Sequence, residues 1–199
     1  MNQRKTEFPV LETGRLILRE LCQADAGALY PIWSDPRVTE YFVLEPFETL
    51  QQTQDMISLL TYLPEAEQGF RWAIALRATG TVVGTCGFHN RREEHCRTEI
   101  GYELSSNYWG QKIMTEALTA ILTFGFCRLD FNRVEAFVNF GNVKSTGLLE
   151  KLGFTRDGLL REYEFARGVF VDQYCYSLLK SEFNRERMKG SAGGAGPPA

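Results

Sequence analysis

The stretch Glu99-Ile-Gly-Tyr-Glu-Leu-Ser-Ser-Asn-Tyr-Trp-Gly-Gln-Lys-Ile-Met-Thr-Glu-Ala117 concentrates residues that could do chemistry. It reads as a strand, a short loop containing Gly110, and the start of a long apolar helix. A helix start presents backbone N–H groups without intrahelical acceptors, together with the positive end of a macrodipole, and this suits a pyrophosphate. An ordinary loop-to-helix turn with a glycine gives the same pattern, so both readings stay open on this segment alone. Glu99 and Glu103 share one strand face by the two-residue period, and each could accept a proton or simply face water. His89 and His95 have no carboxylate or cysteine at a suggestive spacing, and neither is assigned a role. The five cysteines, Cys22, Cys86, Cys96, Cys127 and Cys175, form no C-x-x-C pair or other ligand spacing, so free thiols and no metal are expected. Cys86 and Cys127 lie in apolar stretches and read as small core residues, with a thiol nucleophile as the open alternative.

Elements that could position this segment follow from hydrophobic period. Arg15 to Leu21 is an apolar strand candidate, and a helix is expected near Asp25 to Trp33, ended or distorted by Pro31. A second helix runs from about Thr49 to Leu63: Thr49 and Gln52 match a capping box, and Met56, Leu60 and Leu63 make its stripe. Phe70 to Leu76 alternates as a half-buried strand, turns near Ala78-Thr79-Gly80, and leads to a strand from Val82 to Phe88. After a polar excursion, Asn90 to Arg97, comes the strand Thr98 to Leu104. The following helix is apolar on a wide face, with Ile113, Ala117, Ile121 and Phe124 flanked by Met114, Leu118 and Leu122, so it must be largely buried. Arg133 to Phe140 is a strand, Leu148, Leu149 and Leu152 mark a short helix stopped by Gly153, and strands near 156–165 and 171–179 finish the order. The class is α+β with a mixed sheet.

Composition sets the limits. A chain of 199 residues, 44% hydrophobic, is expected to form one domain with a sizeable core, over residues 12–183. Residues 184–199 are charged and then rich in glycine and proline, and are expected to be disordered. A net charge of -3 gives no general footprint for nucleic acid or anionic membrane, so an anionic ligand must be held locally. With no apolar leader and no stretch of about 18 apolar residues, a soluble cytoplasmic protein is expected.

A longer pattern sharpens these expectations. Arg133-Val-Glu-Ala-Phe-Val-Asn-Phe-Gly-Asn-Val-Lys-Ser-Thr-Gly-Leu-Leu-Glu-Lys-Leu-Gly-Phe154 resembles the strand and helix of GNAT acetyltransferases, with their Asn-x-x-Ser turn. Glu99-Ile-Gly-Tyr102, Trp109-Gly-Gln111, Thr13-Gly-Arg-Leu-Ile-Leu-Arg19 and Ser34-Asp-Pro-Arg-Val38 extend the match over Glu12 to about Phe183. The pattern is similar to the ribosomal-protein N-terminal acetyltransferases of the RimJ/RimL group. The resemblance implies a mostly antiparallel sheet flanked by helices, whose two central strands splay to admit acetyl-coenzyme A. The pantetheine arm would pair with backbone near Tyr102, Leu104 and Ser105, and the phosphates would meet Gly110, Gln111, Lys112, Ile113, Met114 and Thr115, with Asn142 and Ser145 on the coenzyme side.

Two positions depart from the family. Lys112 stands where glycine is usual, so its side chain must point outward or the loop must shift, and Met114 stands where a small residue is common. Leu149 replaces the tyrosine that many members use to protonate the leaving thiolate, and Ser145 is the RimL-like substitute. The implied reaction is direct attack by an amine on a thioester, which needs a base. The resemblance offers Glu164, the RimL-like position, and Glu99, the position of several other members, with Glu103 a weaker third. The acceptor implied is a protein N-terminal α-amine. A small-molecule amine such as an antibiotic or polyamine, a coenzyme-binding module without catalysis, and a homodimer all remain open.

Overall fold

The computed structural model describes residues 8–62 and 69–184. The strands are β1 (Leu11–Glu12), β2 (Leu16–Glu20), β3 (Phe70–Leu76), β4 (Val82–Arg92), β5 (Arg97–Leu104), β6 (Arg133–Asn139), β7 (Thr155–Ala166) and β8 (Val169–Leu179). The helices are α1 (Ala26–Trp33), α2 (Pro36–Thr39), α3 (Leu50–Tyr62), α4 (Ile113–Cys127) and α5 (Val143–Lys151). The strands join in one eight-stranded sheet of order β1-β2-β3-β4-β5-β6-β8-β7. Every neighbouring pair is antiparallel except β5 and β6.

Two cores sandwich the sheet. On one face α4 lays Ile113, Ala117, Leu118, Ile121 and Leu122 against Trp72, Ile74, Phe88, Val134 and Tyr176. On the other, Leu29, Ile32 and Trp33 of α1 and Ile57 of α3 meet Ala73 and Ala75. Both faces of β3 are therefore covered, which corrects the half-buried expectation: Ala73 and Ala75 are small because helices press on that side. Pro31 lies inside α1, and the helix continues to Trp33. The lost bond is one whose acceptor would be Gly27, at the very start of the helix, where it costs least.

Thr49 and Gln52 form the expected capping box of α3. Its buried positions are Thr53 and Ile57, with Met56 and Leu60 at their margin; Leu63 lies outside the described residues, as do 185–199 of the expected tail. β4 runs on to Arg92, beyond the Phe88 expected, and the polar excursion shrinks to a turn around Glu93–His95. Cys86 is fully buried, as expected of a core residue, but Cys127 is exposed at the end of α4. Among the described residues no helix is long and apolar enough to cross a membrane.

Candidate active site

β5 and β6 pair over three rungs, Arg97↔Arg133, Thr98↔Val134 and Glu99↔Glu135, and then separate. Beyond Glu99, β5 continues to Leu104 and β6 to Asn139 without a ladder between them. The separated ends lead directly into α4 and α5, so both helix starts stand at the open end of the split. The Ser105 N–H donates to Val83 O on β4. By strand alternation, the N–H and C=O groups of Tyr102 and Leu104 point the other way, into the split. Leu104 O accepts the Trp109 indole N–H at 3.0 Å, leaving the Leu104 N–H and both Tyr102 groups on the free edge. Ser105, expected on that edge, offers its N–H to β4 instead, because it is one residue out of phase.

The loop after β5 resolves the oddity of Lys112. Gly110 and Lys112 have φ of 74° and 59°, so Lys112 takes the left-handed backbone a glycine would take. Its side chain is exposed, near Arg15 and Glu116. Lys112 is the N-cap of α4 yet provides no cap, and the first intrahelical bond is Glu116 N–H to Lys112 O. The N–H groups of Ile113, Met114 and Thr115 thus lack intrahelical acceptors, whereas the side chains of Ile113 and Met114 are buried. These two residues can serve a ligand through backbone alone. Gln111 holds the loop together: its O accepts from Arg15 and its side chain donates to Asn107 O. α5 differs, because the Asn142 side chain accepts from Ser145 N–H and caps it.

On the α4/α5 face, Tyr102 Oη and Ser145 Oγ lie 2.6 Å apart. Burial pushes the Tyr102 hydroxyl up to about 12, even against the opposing effect of the Ser145 bond, so it stays protonated. The pair can hand a proton to a group in the split. The spacing of one tyrosine and one serine 43 residues apart carries no signal of this contact.

Three of the carboxylates on the opposite face are in different situations. Glu103 is 7% exposed and accepts from Trp33 Nε1, Thr85 Oγ1 and the Arg71 guanidinium. Gly101 makes room for this: an added Cβ there would stand 3.0 Å from Arg71 Nη1. With both oxygens committed, Glu103 is an internal anchor. Glu99 sits at the apex of the split, opposite His89 on β4, with His89 Nε2 at 3.4 Å and an Asn90 amide donor at 3.1 Å. Burial raises its carboxyl, but the bonds from His89 and Asn90 and the charges of His89 and Arg97 outweigh that and hold it below the usual range. That weakens Glu99 as a base. His89, assigned no role from sequence, is thus the partner of Glu99.

Glu164 stands on β7, beyond the open end. Its Oε2 accepts from the Gln173 amide, whose nitrogen also donates to Asn139 Oδ1 at 2.8 Å. Asn139, the last residue of β6, donates in turn to Tyr41 O at 3.0 Å. A register shift between Leu160 and Glu164, with Glu162 at φ 49°, turns β7 so that Glu164 faces this relay. Gln173 and Asn139 were missed from sequence because the β7 register shift decides that Glu164 meets Gln173, and only the sheet order brings Asn139 of β6 beside β8. Among the described residues no group of three or more His, Cys, Asp or Glu could hold a metal ion.

Comparison with known proteins places this geometry. A family model described as acetyltransferase (GNAT) domain matches residues 15–155. An uncharacterised N-acetyltransferase of Bacillus licheniformis, p20, is 43% identical over 87% of this chain and 97% of its own. Among solved structures, the ribosomal L7/L12 alpha-N-protein acetyltransferase RimL superposes with a TM-score of 0.78 at 18% identity, covering 90% of this chain and 98% of that one. The microcin C7 self-immunity acetyltransferase MccE, solved with acetyl-CoA and AMP, gives 0.76 at 21%, covering 84% and 93%.

Proposed function

This chain belongs to the GNAT acetyltransferase family, and from that premise we propose that it moves the acetyl group of acetyl-coenzyme A to a protein N-terminal α-amine of the ribosomal-protein type. The observation that carries the reading is the split between β5 and β6, with a hydroxyl pair on one face and a relayed carboxylate on the other. The coenzyme supplies an activated acetyl thioester. The free Tyr102 and Leu104 backbone groups suit an amide-bearing arm added as a strand. The uncapped N–H groups of Ile113, Met114 and Thr115 suit its pyrophosphate.

Glu164 removes the ammonium proton from the acceptor, directly or through one water, while Gln173 and Asn139 fix its orientation. Ser145 Oγ donates a proton to the departing sulfur and takes up the proton that the acceptor nitrogen loses as the amide forms, while Tyr102 Oη holds it in place by their hydrogen bond. An α-amine, with pKa about 7.7–8.0, asks less of a carboxylate base than a lysine at about 10.4. The fold likeness to RimL supports the same acceptor class.

Two measurements test this. Acetyl-coenzyme A at one hundred times its dissociation constant is expected to stabilise the protein by about 2.7 kcal/mol, a rise of roughly 5–11 °C in Tm. Thiol release is expected with peptides carrying free N-termini, ahead of spermidine and aminoglycosides. No melting shift would overturn the donor; turnover confined to small amines would overturn the acceptor.

A further inference from the structure

Lys144 lies in the first turn of α5, and its ammonium stands 3.8 Å from the centre of the Trp109 ring, in the loop before α4. The contact joins the starts of α5 and α4 across the open end of the split, where no backbone ladder connects the two arms. A cation in a helical first turn opposes the macrodipole, and among the described residues no carboxylate pairs with Lys144. A chain of net charge -3 therefore places an ammonium without a carboxylate partner at the mouth, beside the uncapped start of α4. This departure from local preference is explained if an anion is bound between the two arms.

Resting on the coenzyme reading above, we propose that Lys144 is a specificity-determining cation for the phosphate-bearing end of the coenzyme, held at the mouth by Trp109 and transferred from the ring to a phosphate on binding. The tryptophan face is a weak, exchangeable partner for an ammonium, and a phosphate is a stronger one. Trp109 then acts as a positioning residue that keeps a flexible side chain where it is needed.

The test is titration of the full chain with coenzyme A and with dephospho-coenzyme A, at low and high salt, by calorimetry and tryptophan emission. Trp33 and Trp72 are 5% and 0% exposed, so the half-buried Trp109 is the fluorophore expected to respond. Lys144→Gln is expected to weaken coenzyme A about ten-fold at low salt, with the gap narrowing at high salt, and Lys144→Arg to retain affinity. Its emission change on binding is also expected to shrink. Loss with coenzyme A alone assigns Lys144 to the 3′-phosphate, and loss with both ligands assigns it to the pyrophosphate; either supports the proposal. Unchanged affinity in Lys144→Gln, or an equal loss at both salt concentrations, reduces the lysine to a packing role and overturns it. Failure of the unmodified chain to bind coenzyme A would instead defeat the functional reading on which the proposal rests.

Discussion

Glu103 and Glu164 lie on the same face of one sheet, and the difference between their surroundings separates a carboxylate committed to the fold from the one proposed as the base. Glu103 is enclosed under α1 with Arg71, Thr85 and Trp33 using both oxygens. Glu164 is half-buried beyond the end of the split, with one oxygen held by Gln173. A group whose hydrogen bonds are all satisfied internally holds the fold, and has nothing left to offer a substrate. A group held on one side and open on the other is oriented without being spent.

The comparison breaks most directly at Glu164. Glu164→Gln keeps the volume and the bond to Gln173, so turnover is expected to fall roughly 10²–10⁴-fold while stability changes by less than about 1 kcal/mol. The deficit is expected to shrink as pH approaches the acceptor amine's own pKa, because more acceptor then arrives deprotonated. Kinetics across pH beside a melting curve would check both halves. A fully active Glu164→Gln protein would remove the contrast.

Glu103→Gln is expected to do the opposite. It leaves the Arg71 charge buried without its partner, a loss of about 3–5 kcal/mol, or roughly 6–20 °C in Tm. Folded Glu103→Gln protein at low temperature should still turn over. Chemical denaturation and a low-temperature assay separate the two effects.

Glu99 is the intermediate case and sharpens the distinction. Its carboxyl is held below the usual range in the folded state, so its contribution to stability is complete above the unfolded glutamate pKa. That contribution is lost as pH falls through the folded value. The stability gap between the unmodified chain and Glu99→Gln is therefore expected to be widest near neutral pH and to close in acid. Turnover of Glu99→Gln is expected to fall less than about ten-fold, below the range for a lost general base. A crippled Glu99→Gln beside a normal Glu164→Gln would transfer the role of base to Glu99.

The smallest effect concerns the loop. Lys112→Gly relieves a left-handed backbone at a non-glycine residue and is expected to raise stability by about 0.5–1 kcal/mol. A calorimetric melt would show it; a decrease would mean that the lysine stem supports the loop.

The elements were legible because each is written in a local period. The wide apolar face of α4, the Thr49–Gln52 cap and the strands around Phe70 and Arg133 need only neighbouring residues to declare themselves. The family pattern in the segments 99–117 and 133–154 likewise located the two helix starts. What the sequence left undecided was which polar residues meet. Glu99 and Glu103 share a strand face, with Glu103 read as the weaker candidate base, yet sequence did not show that one is paired with His89 and the other locked to Arg71. Ser105 was read onto the free edge, although only the register with Val83 reveals that its N–H faces β4. The Tyr102–Ser145, Asn139–Gln173 and Lys144–Trp109 contacts join residues brought together by the order of strands in the sheet. Local sequence determines which backbone conformation each segment prefers, since those interactions lie within a turn or two. The chemistry of the split depends on distances across β5, β6 and β8, and those exist only once the sheet has assembled.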